Sequence, residues 1–152
     1  MRVASPIVPA VPAPWNVDIR SRTTRGADLE LARSGGVRVG VRLRRCVAGR
    51  LRDSYPVAGH DIEVEVSDPS EPEVLADLLG TLVPALWKAE PRCRRIIFAP
   101  LADDERTVAA ARSCGFRPVV EVDLAEATVL LMVAEPGWVT ALDGGLDDVP
   151  GT

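Results

Sequence analysis

The chain carries one histidine, His60. An imidazole titrating near pH 6.5 can accept a proton at neutrality, as a general base must. It ends the segment Tyr55-Pro56-Val57-Ala58-Gly59-His60, just before an alternating run, so it reads more readily as a histidine at the start of a strand bonded to a nearby carbonyl. Six arginines, Arg38, Arg42, Arg44, Arg45, Arg50 and Arg52, crowd one short stretch. They read either as an anion-binding patch or, as surface charge runs usually do, as one side of a solvated salt ladder facing Glu63 and Glu65. Cys46, Cys93 and Cys114 are odd in number, far apart and form no C-x-x-C pair, so they signal neither a disulfide framework nor a zinc site. No Cys or Ser motif accompanies the histidine, and no H-x-x-x-H or phosphate-loop signature occurs.

With 152 residues the chain has the length of one domain, enough to bury a core without disulfides or metals. Pro6, Pro9, Pro12 and Pro14 interrupt the apolar N-terminal stretch, which argues against a signal-peptide core or a membrane span. The cysteine pattern points to a reducing, cytoplasmic setting. A formal charge of -4 and the lack of aromatics among the arginines, Tyr55 apart, argue against nucleic-acid binding.

The elements that must position these side chains follow from periodicity. Residues 1–16 read as a polyproline II arm, mobile or docked on a partner. Residues 17–138 read as the folded domain, with its core from Val37 to Glu135, and 139–152 as an acidic disordered tail. Val17 and Ile19 suggest a short strand, with at most one more short element before Gly36. Val37, Val39, Val41 and Leu43 alternate with arginines as a half-buried antiparallel strand. Arg50 to Tyr55 is expected to return as a second strand, and Ile62, Val64 and Val66 to form a third, completing a meander. Ser70 to Glu73 spells a capping box, with Pro72 in the first turn of a helix. The apolar stripe of that helix runs through Leu75, Leu78, Leu79, Leu82 and Leu86, and Pro84 should kink or loosen its last turn. Ile96-Ile97-Phe98 reads as a buried central strand ended by Pro100. Asp103 or Asp104 caps a second helix, Glu105 to Ser113, which stops at Gly115. Val119 to Leu124 and Thr128 to Val133 close the chain as a hairpin.

This order, together with Leu86-Trp87, Arg94-Arg95-Ile96-Ile97-Phe98-Ala99-Pro100 and Ala111-Arg112-Ser113-Cys114-Gly115-Phe116, resembles the GCN5-related N-acyltransferase (GNAT) superfamily over roughly two thirds of the chain. Within it, the likeness is to the siderophore-biosynthesis branch. The resemblance implies an α/β (α+β) fold with a GNAT-like mixed sheet, an antiparallel meander followed by helix, strand, helix and hairpin. It also implies acyl transfer from acyl-CoA to an amine or hydroxylamine.

Carried onto this chain, the resemblance makes His60 the base, with Asp103 standing in for a family aspartate whose own position holds Leu101 and Asp104 at the place of a family asparagine. The backbone of Val64 and Val66 would hold the thioester carbonyl, and Ser67 and Ser70 would flank the coenzyme diphosphate. The stretch from Ser67 to Glu73 departs from the family's glycine-rich loop. It has two prolines and three carboxylates where main-chain donors are needed, so acyl-CoA should bind weakly. No metal is implied. Two functional readings stand: an acyltransferase acting on a small-molecule amine, and a non-catalytic binding or scaffolding descendant, which the eroded loop favours slightly. A protein partner or second copy is expected to cover apolar surface at Trp15 and Trp138.

Overall fold

Alternation of Val37, Val39, Val41 and Leu43 with arginines does produce a strand. In the computed structural model, which describes residues 9–51, 59–67 and 71–136, it runs Val37–Arg45 and is the third strand, β3. Two full strands precede it, β1 (Asn16–Thr23) and β2 (Gly26–Arg33), of eight residues each, where only short elements were expected. Their patterns explain them: Ala27, Leu29 and Leu31 are buried while Asp28 and Glu30 face the other way. The hairpin β1–β2–β3 then continues to β4 (Ile62–Ser67) with Arg42 opposite Glu65 and Arg44 opposite Glu63. The expected return strand after Arg45 is replaced by a 3-10 turn, Cys46–Ala48, followed by a turn at Arg50 and Leu51, and β3 pairs directly with β4. The remainder of that expected strand, residues 52–58, lies outside the described residues.

Helix α1 (Pro72–Ala89) has Pro72 at its first turn, as expected, but its N-cap is Glu71, whose side chain makes no capping bond. Ser70, the expected cap, lies outside the described residues. Pro84 is exposed and the helix runs on unbroken to Ala89, so the missing donor falls on the solvent side. After α1 come β5 (Ile96–Phe98), α2 (Glu105–Ser113), β6 (Arg117–Asp123) and β7 (Thr128–Ala134). Gly115, at a φ of 93°, takes the left-handed conformation that ends α2. The seven strands form one mixed sheet in the order β1-β2-β3-β4-β5-β7-β6, with β4 and β5 its one parallel pair.

One sheet face, including Leu31, Val41, Leu43, Ile62, Val64, Ile96 and Met132, packs with Leu75, Leu78, Leu79, Leu82 and Leu86 of α1 and with Ala110 and Ala111 of α2 in a single cluster. Each fully buried leucine contributes roughly 1.5 to 3 kcal/mol. The core starts earlier than Val37. Trp15 is 2% exposed, its Nε1 donates to Asp77 Oδ2 on α1 at 3.1 Å, and the Arg33 guanidinium stacks 5.3 Å above its ring. Trp15 is therefore not exposed surface awaiting a partner, and Trp138 lies outside the described residues. Pro9 is also buried, and Val11 packs on the core.

Candidate active site

β4 and β5 pair at three positions, Ile62 with Ile96, Glu63 with Ile97 and Val64 with Phe98, and then separate. Pro100 has no N–H to extend the ladder, and its carbonyl accepts from Leu130 N at 2.8 Å, while Leu101 bridges Val129. The chain after β5 therefore leans toward β7 while β4 continues to Ser67 against β3. The result is a wedge in the sheet, a cavity of about 310 Å³. Val64, Glu65 and Val66 form one wall, Phe98 to Leu101 the other, with Asp104 and Thr107 of α2 at one end and Arg50 and Glu126 at the other. Past Val64, the edge of β4 facing β5 has no strand partner among the described residues, which leaves its main-chain groups available to a ligand.

The charged residues lining the wedge are Glu65, Arg50, Asp104 and Glu126, and Glu63 of β4 holds Arg50. Glu63 is 1% exposed and receives Arg50 Nε at 3.1 Å and Nη2 at 2.9 Å, both on Oε2. Burial pushes the Glu63 carboxyl up, with the Arg50 bond pulling the other way. Burial works against the Arg50 charge, but its bond and attraction to Glu63 outweigh this and hold its pKa up. Glu65 lies 3.4 Å from Arg44 Nη1 and 3.8 Å from Arg50 Nε. Its Oε1, the atom that both guanidinium groups approach, is shielded from solvent and makes no hydrogen bond among the described residues.

The sequence-predicted residues divide. Val64, Val66 and Asp104 meet at the wedge. Asp104, however, is occupied as the N-cap of α2, accepting from Thr107 N at 3.2 Å and from Thr107 Oγ1 at 2.7 Å. Asp103 is exposed and does not line the cleft. Leu101 is 51% exposed at its edge. Ser67 ends β4 opposite Gly40, and Ser70 lies outside the described residues. His60 precedes β4 at the end opposite the wedge, roughly 20 Å from Val66 along the strand. Its Nδ1 stands 3.9 Å from Glu90 Oε1, without a hydrogen bond among the described residues. The structure thus does not bring His60 together with the aspartates or the cleft. Glu65, read only as part of a salt ladder, is the cleft residue that sequence reasoning missed, and Arg50, named only within an arginine patch, lines the same cleft while bound to Glu63. The signal was present in the alternation of Ile62, Glu63, Val64, Glu65 and Val66, which reads the same whether the carboxylates face water or a cleft.

The sequence profile of the Acetyltransferase (GNAT) domain matches residues 43–124. No curated protein matches the chain. Among solved structures, an uncharacterized protein from Bacillus halodurans is similar with a TM-score of 0.67 and 21% identity, covering 73% of this chain and 59% of that one. The chain thus spans less than two thirds of that protein's length. The aminoglycoside acetyltransferase AAC(6')-Ib, solved with paromomycin and acetyl-CoA, is similar with a TM-score of 0.64 at 12% identity, covering 76% of this chain and 68% of that one. An aminoglycoside N(6')-acetyltransferase from Legionella pneumophila gives a TM-score of 0.54 at 9% identity, covering 72% and 63%. These likenesses concern the fold, and they agree with the mixed seven-stranded sheet and its two helices. With the profile spanning more than half of its length, the chain belongs to the GNAT acetyltransferase family.

Proposed function

We propose that the protein transfers an acyl group from an acyl-CoA thioester to an amine at the wedge between β4 and β5. One observation carries this reading: the unpaired edge of β4 and the side chain of Glu65 line one cleft beside Val64, Val66, Phe98 and Pro100. The walls of Val64, Val66, Phe98 and Pro100 fit a slender thioester arm, and main-chain groups of β4 would hold its carbonyl. The thioester supplies an activated acyl carbon. Glu65 accepts the proton that the neutral amine nitrogen sheds as it attacks that carbon. The new C–N bond replaces the C–S bond, and the sulfur leaves as the thiol once that proton passes to it. Arg50 and Arg44 position Glu65 by their charge. The neighbour solved with acetyl-CoA and paromomycin supports a coenzyme thioester as donor and an amine as acceptor. A siderophore-type amine or hydroxylamine is the finer version of the same reading.

The non-catalytic reading rests on one observation of its own: α1 opens with Glu71, Pro72 and Glu73, which offers an anionic diphosphate two acidic side chains and one missing donor. Free Cys46, Cys93 and Cys114 suit a reducing compartment such as the cytoplasm. No helix among the described residues is long and apolar enough to cross a membrane. Thiol release from acetyl-CoA, followed with a panel of amines, tests the proposal. Amine-dependent release that falls at least about 100-fold in Glu65→Gln supports it, and the absence of release with every amine favours a binding module.

A further inference from the structure

Beside the wedge, on the sheet face away from the helices, β1 to β4 align two rows of residues. One runs Ser21, Asp28, Arg42, Glu65 and the other Thr23, Gly26, Arg44, Glu63. Gly26 opens a gap in the second row. A Cβ there would stand 1.9 Å from the Leu43 carbonyl oxygen, so a side chain cannot fill it without moving the backbone. The hollow has a volume of about 310 Å³ and is lined by four guanidinium groups, those of Arg25, Arg42, Arg44 and Arg50, against one carboxylate, Asp28. Arg50 also lines the wedge, so the two cavities share a wall.

The charges inside the hollow are unevenly satisfied. Asp28 is engaged by Arg42 Nε at 2.9 Å and Ser21 Oγ at 3.1 Å. Arg50 is held by Glu63, and Arg44 reaches Glu65 through one nitrogen at 3.4 Å. The Arg25 side chain has no ion pair or hydrogen bond among the described residues, which leaves all five of its donors free beside the Thr23 hydroxyl. The carboxylates Glu63, Glu65 and Glu126 gather at the Arg50 end. The site is therefore polarised, with cationic donors at Arg25 and acceptors at Glu65.

From this polarity we infer that the acceptor is an amine that also carries a carboxylate or phosphate. Arg25 and Arg44 hold the anion in the hollow, and the nitrogen reaches Glu65 at the wedge. This rests on the acyl-transfer reading above. One to two strand spacings separate the sites, so amine and anion lie about 5 to 10 Å apart. A polycation such as the aminoglycosides of the structural neighbours would meet the Arg25 end unfavourably.

Calorimetric titration of the full chain with glutarate and with inorganic phosphate tests the hollow without any coenzyme. Saturable binding is expected for at least one of them, and the tighter of the two identifies the anion as carboxylate or phosphate. Arg25→Ala should weaken it about 10-fold or more, whereas Arg22→Ala, one charge removed on neighbouring β1 outside the hollow, should change it less than about twofold. Lysine and cadaverine, which differ only in the carboxylate, then serve as acceptors. Lysine should show the higher kcat/KM, and the ratio should fall toward one in Arg25→Ala. Absence of saturable anion binding, equal losses in both variants, displacement of the anion by acetyl-CoA, or cadaverine matching lysine would overturn the inference. Arg25-dependent glutarate binding without transfer to any amine would instead overturn the acyl-transfer reading, taking the acceptor assignment with it and leaving the anion site standing.

Discussion

Arg50→Met removes the cation that faces Glu63 while keeping most of the apolar stem. Glu63 is 1% exposed and both Arg50 bonds fall on its Oε2, so the substitution strands a buried carboxylate. Breaking one side of a buried pair costs about 3 to 5 kcal/mol. Arg50 is 25% exposed and solvent can partly replace it, so the lower end, about 3 kcal/mol, is expected at pH 7.5. The loss should depend on pH. Burial already raises the Glu63 pKa in the folded protein, and without Arg50 it rises further. A carboxyl whose folded pKa exceeds its unfolded one binds more protons when folded, so stability falls as pH climbs between the two values. The variant should therefore be closest to wild type near pH 4.5 and lose ground steadily toward pH 8. Glu63→Gln in the Arg50→Met background should flatten that slope. Urea unfolding at intervals from pH 4.5 to 8 measures it. A variant less than about 1 kcal/mol below wild type, or one whose deficit shrinks with rising pH, would refute the reasoning.

Other outcomes follow from single contacts. Trp15→Ala should cost about 3 to 5 kcal/mol in chemical unfolding, because it empties a buried ring site and strips Asp77 and Arg33 of their shared partner. His60→Ala should leave kcat/KM within about threefold of wild type, in contrast to Glu65→Gln, because His60 lies at the far end of β4. The Cys93 thiol is buried and pushed up to about 12 by that burial and by nearby Asp61, so at pH 8 iodoacetamide should spare Cys93 in the folded protein and modify it in urea.

From β3 onward most of the architecture was legible, because Val37 to Leu43 and Leu75 to Leu86 each carry a period that admits one element, and Ile96 to Phe98 is a short apolar run closed by Pro100. β1 and β2 were underestimated as short elements although Ala27, Leu29 and Leu31 alternate cleanly. The site was harder to read. A wedge exists only because Pro100 and Leu101 turn toward β7 while β4 stays with β3, and that divergence is a tertiary fact with no local signature. His60 drew attention by its type alone. Glu65 resembled every other exposed glutamate until the cleft beside it was known. The salt ladder expected between arginines and glutamates does form, in pairs such as Arg44 with Glu65 and Arg50 with Glu63, while Arg25, which no pattern singled out, has no side-chain ion pair among the described residues.

A titration of acetyl-CoA into isotopically labelled protein, read at backbone amides, tests the central claim most directly. Saturable shifts at Glu65, Val66, Ala99 and Leu101, with Gly59 and His60 unmoved, are the predicted result. Shifts confined to the His60 end of β4, or none up to millimolar coenzyme, would contradict a thioester seated where β4 and β5 part.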